Sequence, residues 1–300
     1  MTPASFDRTR LQIRNPYPGW RGRLVAPLLR LAERVVGLRQ IGDLAEQVAR
    51  LPNARGPGEA WGRVLRIRAE TERGSLEGIP TSGPLILVGN HPVGAPEAVA
   101  MAALLEHLRP RDGRLLVGSE WSRAPRIAEV SFAVDKKRSS IADHVNLRAI
   151  TTALDHLRNG GALGVFPAGK ISHLTWSHRT ISDPAWSRSV GTLAIHSEAT
   201  IVPIFFHGSA RWRFQLAGLA HPLLPRLLVL REVLAAQGTT ARFAVGEPIP
   251  WQTLKSHGTP QKLTEHVRAQ CYRLRNREID PTRVVDLVES VTPVAAGPND

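Results

Sequence analysis

His91 and Glu97 stand six residues apart around the turn Pro92-Val93-Gly94-Ala95-Pro96, and their types and spacing suit base chemistry. Leu85-Ile86-Leu87-Val88, following Gly83-Pro84, reads as a buried strand that Gly89-Asn90 ends. Pro96 fits the first turn of a helix, where its missing N–H costs nothing, and Ala98 to Leu105 continue that helix with strong formers. His91 then falls in the connecting loop, with Glu97 in the first helical turn, where the positive end of the dipole keeps a carboxylate ionised. Such a carboxylate can hold one imidazole nitrogen as its N–H tautomer and leave the other free to take a proton. The alternative for this motif alone is an Asx-Pro turn with a solvated histidine and an N-terminal glutamate.

Two further segments repeat the pattern of a short apolar strand opening into a Pro/Gly turn. They are Gly160-Gly161-Ala162-Leu163-Gly164-Val165-Phe166-Pro167-Ala168-Gly169-Lys170-Ile171-Ser172 and Thr200-Ile201-Val202-Pro203-Ile204-Phe205-Phe206-His207-Gly208. Taken with Asn90-His91-Pro92-Val93-Gly94-Ala95-Pro96-Glu97, Asp183-Pro184-Ala185-Trp186 and Gly246-Glu247-Pro248-Ile249, they give five elements in order between residues 81 and 250. In these elements the chain resembles the lysophospholipid (glycerolipid) acyltransferase superfamily, and within it a bacterial hemolysin-like branch that includes acyltransferases of ornithine-lipid synthesis. Glu97 stands where that branch has aspartate, Ala95 where it has a second glycine, and Lys170 where it has an acidic residue or threonine.

The resemblance implies O-acyl transfer from acyl carrier protein or acyl-CoA to a hydroxyl of a lyso-lipid. His91 would be the general base and Glu97 would orient its ring and offset the developing imidazolium. Gly94, Phe166, Pro167, Ala168, Gly169, Lys170 and Ser172 would line the substrate site, with backbone N–H groups at Gly94 or Gly169 available to an oxyanion. Lys136, Lys137 and Arg138, after Phe132-Ala133-Val134, occupy the place of a phosphate-contacting block in the superfamily; three adjacent cations are equally compatible with an exposed loop. Lys170 is either a further anion contact or a solvated turn residue. The departures at Glu97 and Lys170 leave open a non-catalytic relative that binds lipid or carrier protein. No cofactor and no metal are expected.

Other chemistries lack their signatures. No Gly-x-Ser-x-Gly elbow, P-loop or Gly-x-Gly-x-x-Gly occurs, and the eleven histidines include no His-Glu-x-x-His. Cys271 is the only cysteine, so neither an intrachain disulfide nor a Cys-based zinc site is available. His107, His156, His196 and His266 are expected on helix surfaces, and Trp176 and Trp186 as site walls or core filling.

The formal charge is +13, with 34 of the 39 basic residues arginine. The excess is spread, +6 over residues 1–80, +4 over 81–180 and +3 over 181–300, which implies a generally positive surface rather than a basic tail. An anionic membrane surface or an acidic carrier protein fits that surface; nucleic acid does not, since no recognition motif accompanies the charge. Met1 to Pro16 has no apolar core of a signal peptide, and no run reaches the length of a membrane span. The expectation is a cytoplasmic protein, peripheral on the inner face of the cell membrane.

These residues must be positioned by a fold. Alternating strand and helix patterns from 81 to 250 predict an α/β domain with a mixed, mainly parallel sheet flanked by helices. Predicted strands are 115–118, 132–134, 163–166, 201–205 and 240–245, and predicted helices are 147–157 and 191–196. Residues 1–80 are expected to form a basic, helical, membrane-associating region. Within it Leu24, Leu28, Leu31, Val35 and Leu38 make an apolar stripe between arginines on a helix from Arg21 to Val48, either interfacial or packed on its own domain. Residues 251–300 are expected to hold a basic helix at 260–277 and a tail.

Overall fold

The computed structural model describes residues 36–135, 140–174, 181–220 and 224–288, with Arg23, Val25, Ala26, Pro27, Leu31, Glu33 and Arg34 ahead of them. Lys136, Lys137, Arg138, Trp176 and much of the stripe from Leu24 to Val35 lie outside the described residues.

An eight-stranded sheet forms the centre. In chain order its strands are β1 (Arg68–Glu72), β2 (Leu85–Gly89), β3 (Gly113–Gly118), β4 (Ser131–Val134), β5 (Ala162–Val165), β8 (Thr200–Phe206), β9 (Thr240–Val245) and β10 (Val284–Asp286). Their spatial order is β10-β1-β9-β8-β2-β5-β3-β4. The run from β8 to β4 is parallel, β9 turns antiparallel to β8, and β1 is parallel to β9 but antiparallel to β10. This is the mixed, mainly parallel sheet that the alternation predicts. β2 and β5 are buried along their whole length, as continuous apolar runs in parallel sheets are. β1 comes from the 1–80 segment and β10 from the 251–300 segment, so both add strands to the sheet of residues 81–250. A small antiparallel pair, β6 (His173–Leu174) with β7 (Ile181–Ser182), follows β5.

Helices cover both faces. On one, α1 (Leu38–Arg50), α2 (Pro57–Leu65) and α3 (Ala95–Leu108) share a core with β1, β2 and β9 through Ile41, Ala45, Val48, Trp61, Met101, Leu104 and Phe243. On the other, α4 (Ser140–Arg158), α5 (Ser189–Ser197) and, after the short α8 (Trp251–Leu254), α9 (Pro260–Arg273) pack Leu157, Leu193, Val267 and Cys271 against Ile86, Val88 and Leu163. The run from Trp212 forms α6 (Trp212–Ala220) and α7 (Leu224–Ala235), and α7 reaches the first core through Val233.

The single helix expected from Arg21 to Val48 is broken. Gly37 adopts a left-handed φ of 78°, and a Cβ there would lie 2.4 Å from the Leu234 side chain of α7, so only glycine suits this bend. Beyond it the apolar stripe of α1 turns inward and packs on its own domain. His156 also departs from expectation: it is half-buried, and its Nε2 lies 2.7 Å from the Asp112 carbonyl.

Candidate functional site

The carboxyl ends of β2, β5 and β8 meet at one rim, where sites form in open α/β sheets. Asn90, buried at the end of β2, ties that rim together. Its side-chain amide donates to the Phe206 carbonyl at 3.0 Å, and its Oδ1 accepts the Phe206 N–H at 2.7 Å. An asparagine extends the β2–β8 ladder by one side-chain step and frees the following backbone to leave the sheet as a loop. That loop carries His91.

Glu97 folds back from the first turn of α3 to meet it. Gly94, the N-cap, has a φ of 119° that disfavours any side chain, and the helix proper starts at Ala95, where a methyl group is tolerated. Oε1 of Glu97 accepts the N–H of Val93 at 2.7 Å and of Gly94 at 2.6 Å, satisfying donors at the helix start. The same oxygen lies 3.0 Å from Nδ1 of His91. Nδ1 makes no hydrogen bond, so the carboxylate faces the ring at contact distance only. The extra methylene relative to aspartate is absorbed by this fold-back. Glu97 is 1% exposed and the His91 side chain 20%; Nδ1 is buried, so the exposed part of the ring lies away from Glu97. Phe166, at the end of β5, stacks on the imidazole with centroids 4.5 Å apart and planes 21° apart, and itself leans on Phe206.

The loop backbone is held from below by Asp183, 3% exposed. Its Oδ1 accepts the His91 N–H at 3.1 Å and the Ser172 hydroxyl at 2.5 Å, and its Oδ2 accepts Nε1 of Trp186 at 2.8 Å. The Ser172 N–H in turn donates to the His91 carbonyl at 2.7 Å. Ser172 therefore braces the His91 loop while itself buried, and Trp186 fills the core as one of its two expected roles. The Tyr272 hydroxyl of α9 accepts the Asp183 N–H at 2.9 Å; burial, then the nearby Asp183 carboxylate, push its pKa up to about 12. The hub role of Asp183 was not read from the sequence, although Asp183-Pro184-Ala185-Trp186 flagged the segment. Only tertiary contact across 92 residues of chain brings its carboxylate to the His91 N–H.

The Phe166–Gly169 turn closes with the Gly169 N–H on the Phe166 carbonyl at 3.0 Å. Neither backbone donor suggested for the oxyanion is therefore free: Gly94 gives its N–H to Glu97 and Gly169 to this turn. Tight turns consume their own N–H groups, which residue type alone does not reveal. Pro167 and Ser172 are buried, Ala168 and Gly169 half-buried, and Lys170 exposed at the turn's edge. His207 also sits on the rim, edge-on to Phe205, with its pKa lowered by burial. Among the described residues no group of acidic, histidine and cysteine side chains could hold a metal ion.

A lyso-glycine lipid O-acyltransferase from Phocaeicola vulgatus is 26% identical over 214 residues, 69% of this chain and 74% of that protein. Its namesake from Bacteroides thetaiotaomicron is 25% identical over 216 residues, 69% of this chain and 76% of that protein. These two similarities support the resemblance to the glycerolipid acyltransferase superfamily. No family model matches it. Among solved structures, the 1-acyl-sn-glycerophosphate acyltransferase PlsC from Thermotoga maritima aligns over 86% of this chain and 95% of its own, with 15% identity and a TM-score of 0.44. The site itself has a coherent physical design: an imidazole held between a buried carboxylate and an aromatic face, on a loop whose backbone is hydrogen-bonded at both ends.

Proposed function

We propose that this protein moves a fatty acyl group from an acyl thioester, on acyl carrier protein or coenzyme A, to a hydroxyl of a lyso-lipid. The observation that carries this reading is the buried Glu97 carboxylate 3.0 Å from Nδ1 of His91. With Nδ1 on the buried, carboxylate side, Nε2 is the nitrogen that takes the acceptor's proton as its oxygen attacks the thioester carbonyl. The tetrahedral adduct then expels the thiolate, which takes the proton from the His91 imidazolium and leaves as the thiol, restoring the neutral ring. Glu97 favours the imidazolium in the transition state, and Phe166 keeps the ring from rotating away. The names of the two relatives support a lyso-lipid as acceptor.

Lys170, exposed beside the turn, is assigned to an acceptor with a phosphate or carboxylate in its head. Gly94, Phe166, Pro167, Ala168, Gly169 and Ser172 shape or brace the cleft. Peripheral attachment to the inner face of the membrane is part of this proposal. It is supported by the charge of +13 and by the outward-facing Leu31 in the segment ahead of Gly37. No helix among the described residues is long and apolar enough to cross a membrane.

Purified protein incubated with labelled acyl carrier protein, acyl-CoA and a panel of lyso-lipids tests the reading. Transfer to at least one acceptor is expected, with its loss in His91→Ala at unchanged fold, since the bonds that anchor residue 91 are made by its backbone. Transfer retained in that variant would remove the base assignment. Binding of lipid or carrier protein without turnover would identify a non-catalytic relative.

A further inference from the structure

α6 is keyed to the site on one side and, at Trp212 and Leu216, open to solvent on the other. Inward, Phe214 packs with Ile171 and Ala210, and Gln215 accepts the Leu174 N–H at 2.8 Å and donates to the Ser172 carbonyl at 3.3 Å. Ser172 is the residue that braces the His91 loop, so α6 is mechanically joined to the catalytic rim. Outward, Trp212 is 66% exposed and Leu216, one turn on, 51% exposed. The Arg213 guanidinium lies 5.6 Å from the Trp212 ring, Arg211 is exposed beside it, and α6 contains no acidic residue.

A tryptophan and a leucine on one helical face with flanking arginines match the chemistry of a headgroup boundary, with an apolar body to insert and cations for lipid phosphates. The exposed tryptophan and leucine call for an apolar phase and the arginines for anions, and an anionic bilayer offers both on one surface. α7, packed on α6, also carries the N-terminal segment through Arg231, whose guanidinium donates to the Arg34 carbonyl at 3.0 Å. That segment holds Leu31, 56% exposed.

We propose that the outer face of α6, formed by Trp212, Leu216 and Arg213, docks on an anionic lipid bilayer and sets the His91 rim at the membrane surface. The consequence for acceptor delivery rests on the lyso-lipid reading above; the docking itself does not.

Sedimentation with vesicles of equal parts phosphatidylglycerol and phosphatidylcholine tests it. Trp212→Ser combined with Leu216→Ser should lower the partition coefficient by roughly tenfold or more, because both side chains lose their apolar insertion. Arg213→Gln should lower it a few-fold and weaken its salt dependence. Phosphatidylglycerol with brominated chains should quench part of the wild-type emission, a part that disappears in Trp212→Phe, which keeps the fold even if the double variant does not. In acyl transfer, the double variant should match wild type on a short-chain lyso-acceptor dissolved as monomers and fall behind on the same acceptor held in vesicles.

Undiminished vesicle binding by the double variant overturns the proposal. So does a loss that appears instead in self-association or in carrier-protein binding while vesicle binding persists. Absence of acyl transfer to every acceptor would refute the reaction, whereas the vesicle measurements, which need no turnover, would still decide the docking surface.

Discussion

Replacing Glu97 by glutamine separates the two tasks of one oxygen. Oε1 accepts two loop N–H groups, at 2.7 and 2.6 Å, and faces Nδ1 of His91 at 3.0 Å. Glutamine keeps an acceptor at that position and removes the charge. A full imidazolium–carboxylate pair at that separation is worth about 5 kcal/mol at an effective dielectric of about 20. Partial solvation of His91 and the retained amide dipole reduce the loss to about 3 kcal/mol, or roughly a hundredfold in kcat. The two hydrogen bonds weaken from charge-assisted to neutral, which costs about 1–2 kcal/mol and a few degrees in Tm for a chain of this size. Glu97→Ala should lose similar turnover but far more stability, because it strands both N–H groups. The assay is initial rate against acceptor concentration for each variant, with a thermal melt alongside. A glutamine variant that keeps a third or more of wild-type kcat refutes the dyad. Equal Tm losses in glutamine and alanine refute the capping role.

Asp183→Asn should reduce stability by about 2–4 kcal/mol, since three donors converge on a buried carboxylate, and should lower kcat more than it raises KM; an unchanged denaturation midpoint would contradict its place as the hub. Lys170→Glu should raise KM for an anionic lyso-acceptor with little change for the acyl donor, and equal kinetics for both would remove Lys170 from the acceptor site. Burial lowers the pKa of His207, so the unfolded chain takes up this proton first as pH falls below about 6.5. Stability should be full above that pH and decline toward the lower folded-state value, a decline that His207→Gln should reduce in melts from pH 7 to 5.

The strands that build the rim are legible in the sequence, because a buried parallel strand is a continuous apolar run, often with Gly or Pro at its ends. Residues 85–88 have that form between Pro84 and Gly89, residues 163–166 and 201–205 are largely apolar runs, and each lies within a residue of the observed strand. His91 and Glu97 were legible for a related reason: their contact spans one loop and one helical turn, so local geometry nearly decides it. β1 and β10 were not. They are short, Arg-Ala-Glu-Thr-Glu and Val-Val-Asp, and only a neighbour about two hundred residues away makes them strands. Periodicity showed an apolar stripe from Leu24 to Leu38 but not whether lipid or protein covers it; beyond the bend at Gly37, Ile41, Ala45 and Val48 of α1 pack on the chain's own core, which periodicity alone could not decide.

The same limit applies within the site. Residue types suggested that Gly94 and Gly169 had N–H groups to offer, while folding engages both in their own turns. Asp183 carried no mark beyond its motif, because a carboxylate becomes a hub only when distant donors converge on it and water is excluded. Local pattern thus names the candidates for chemistry, and long-range packing decides which polar groups remain free to perform it.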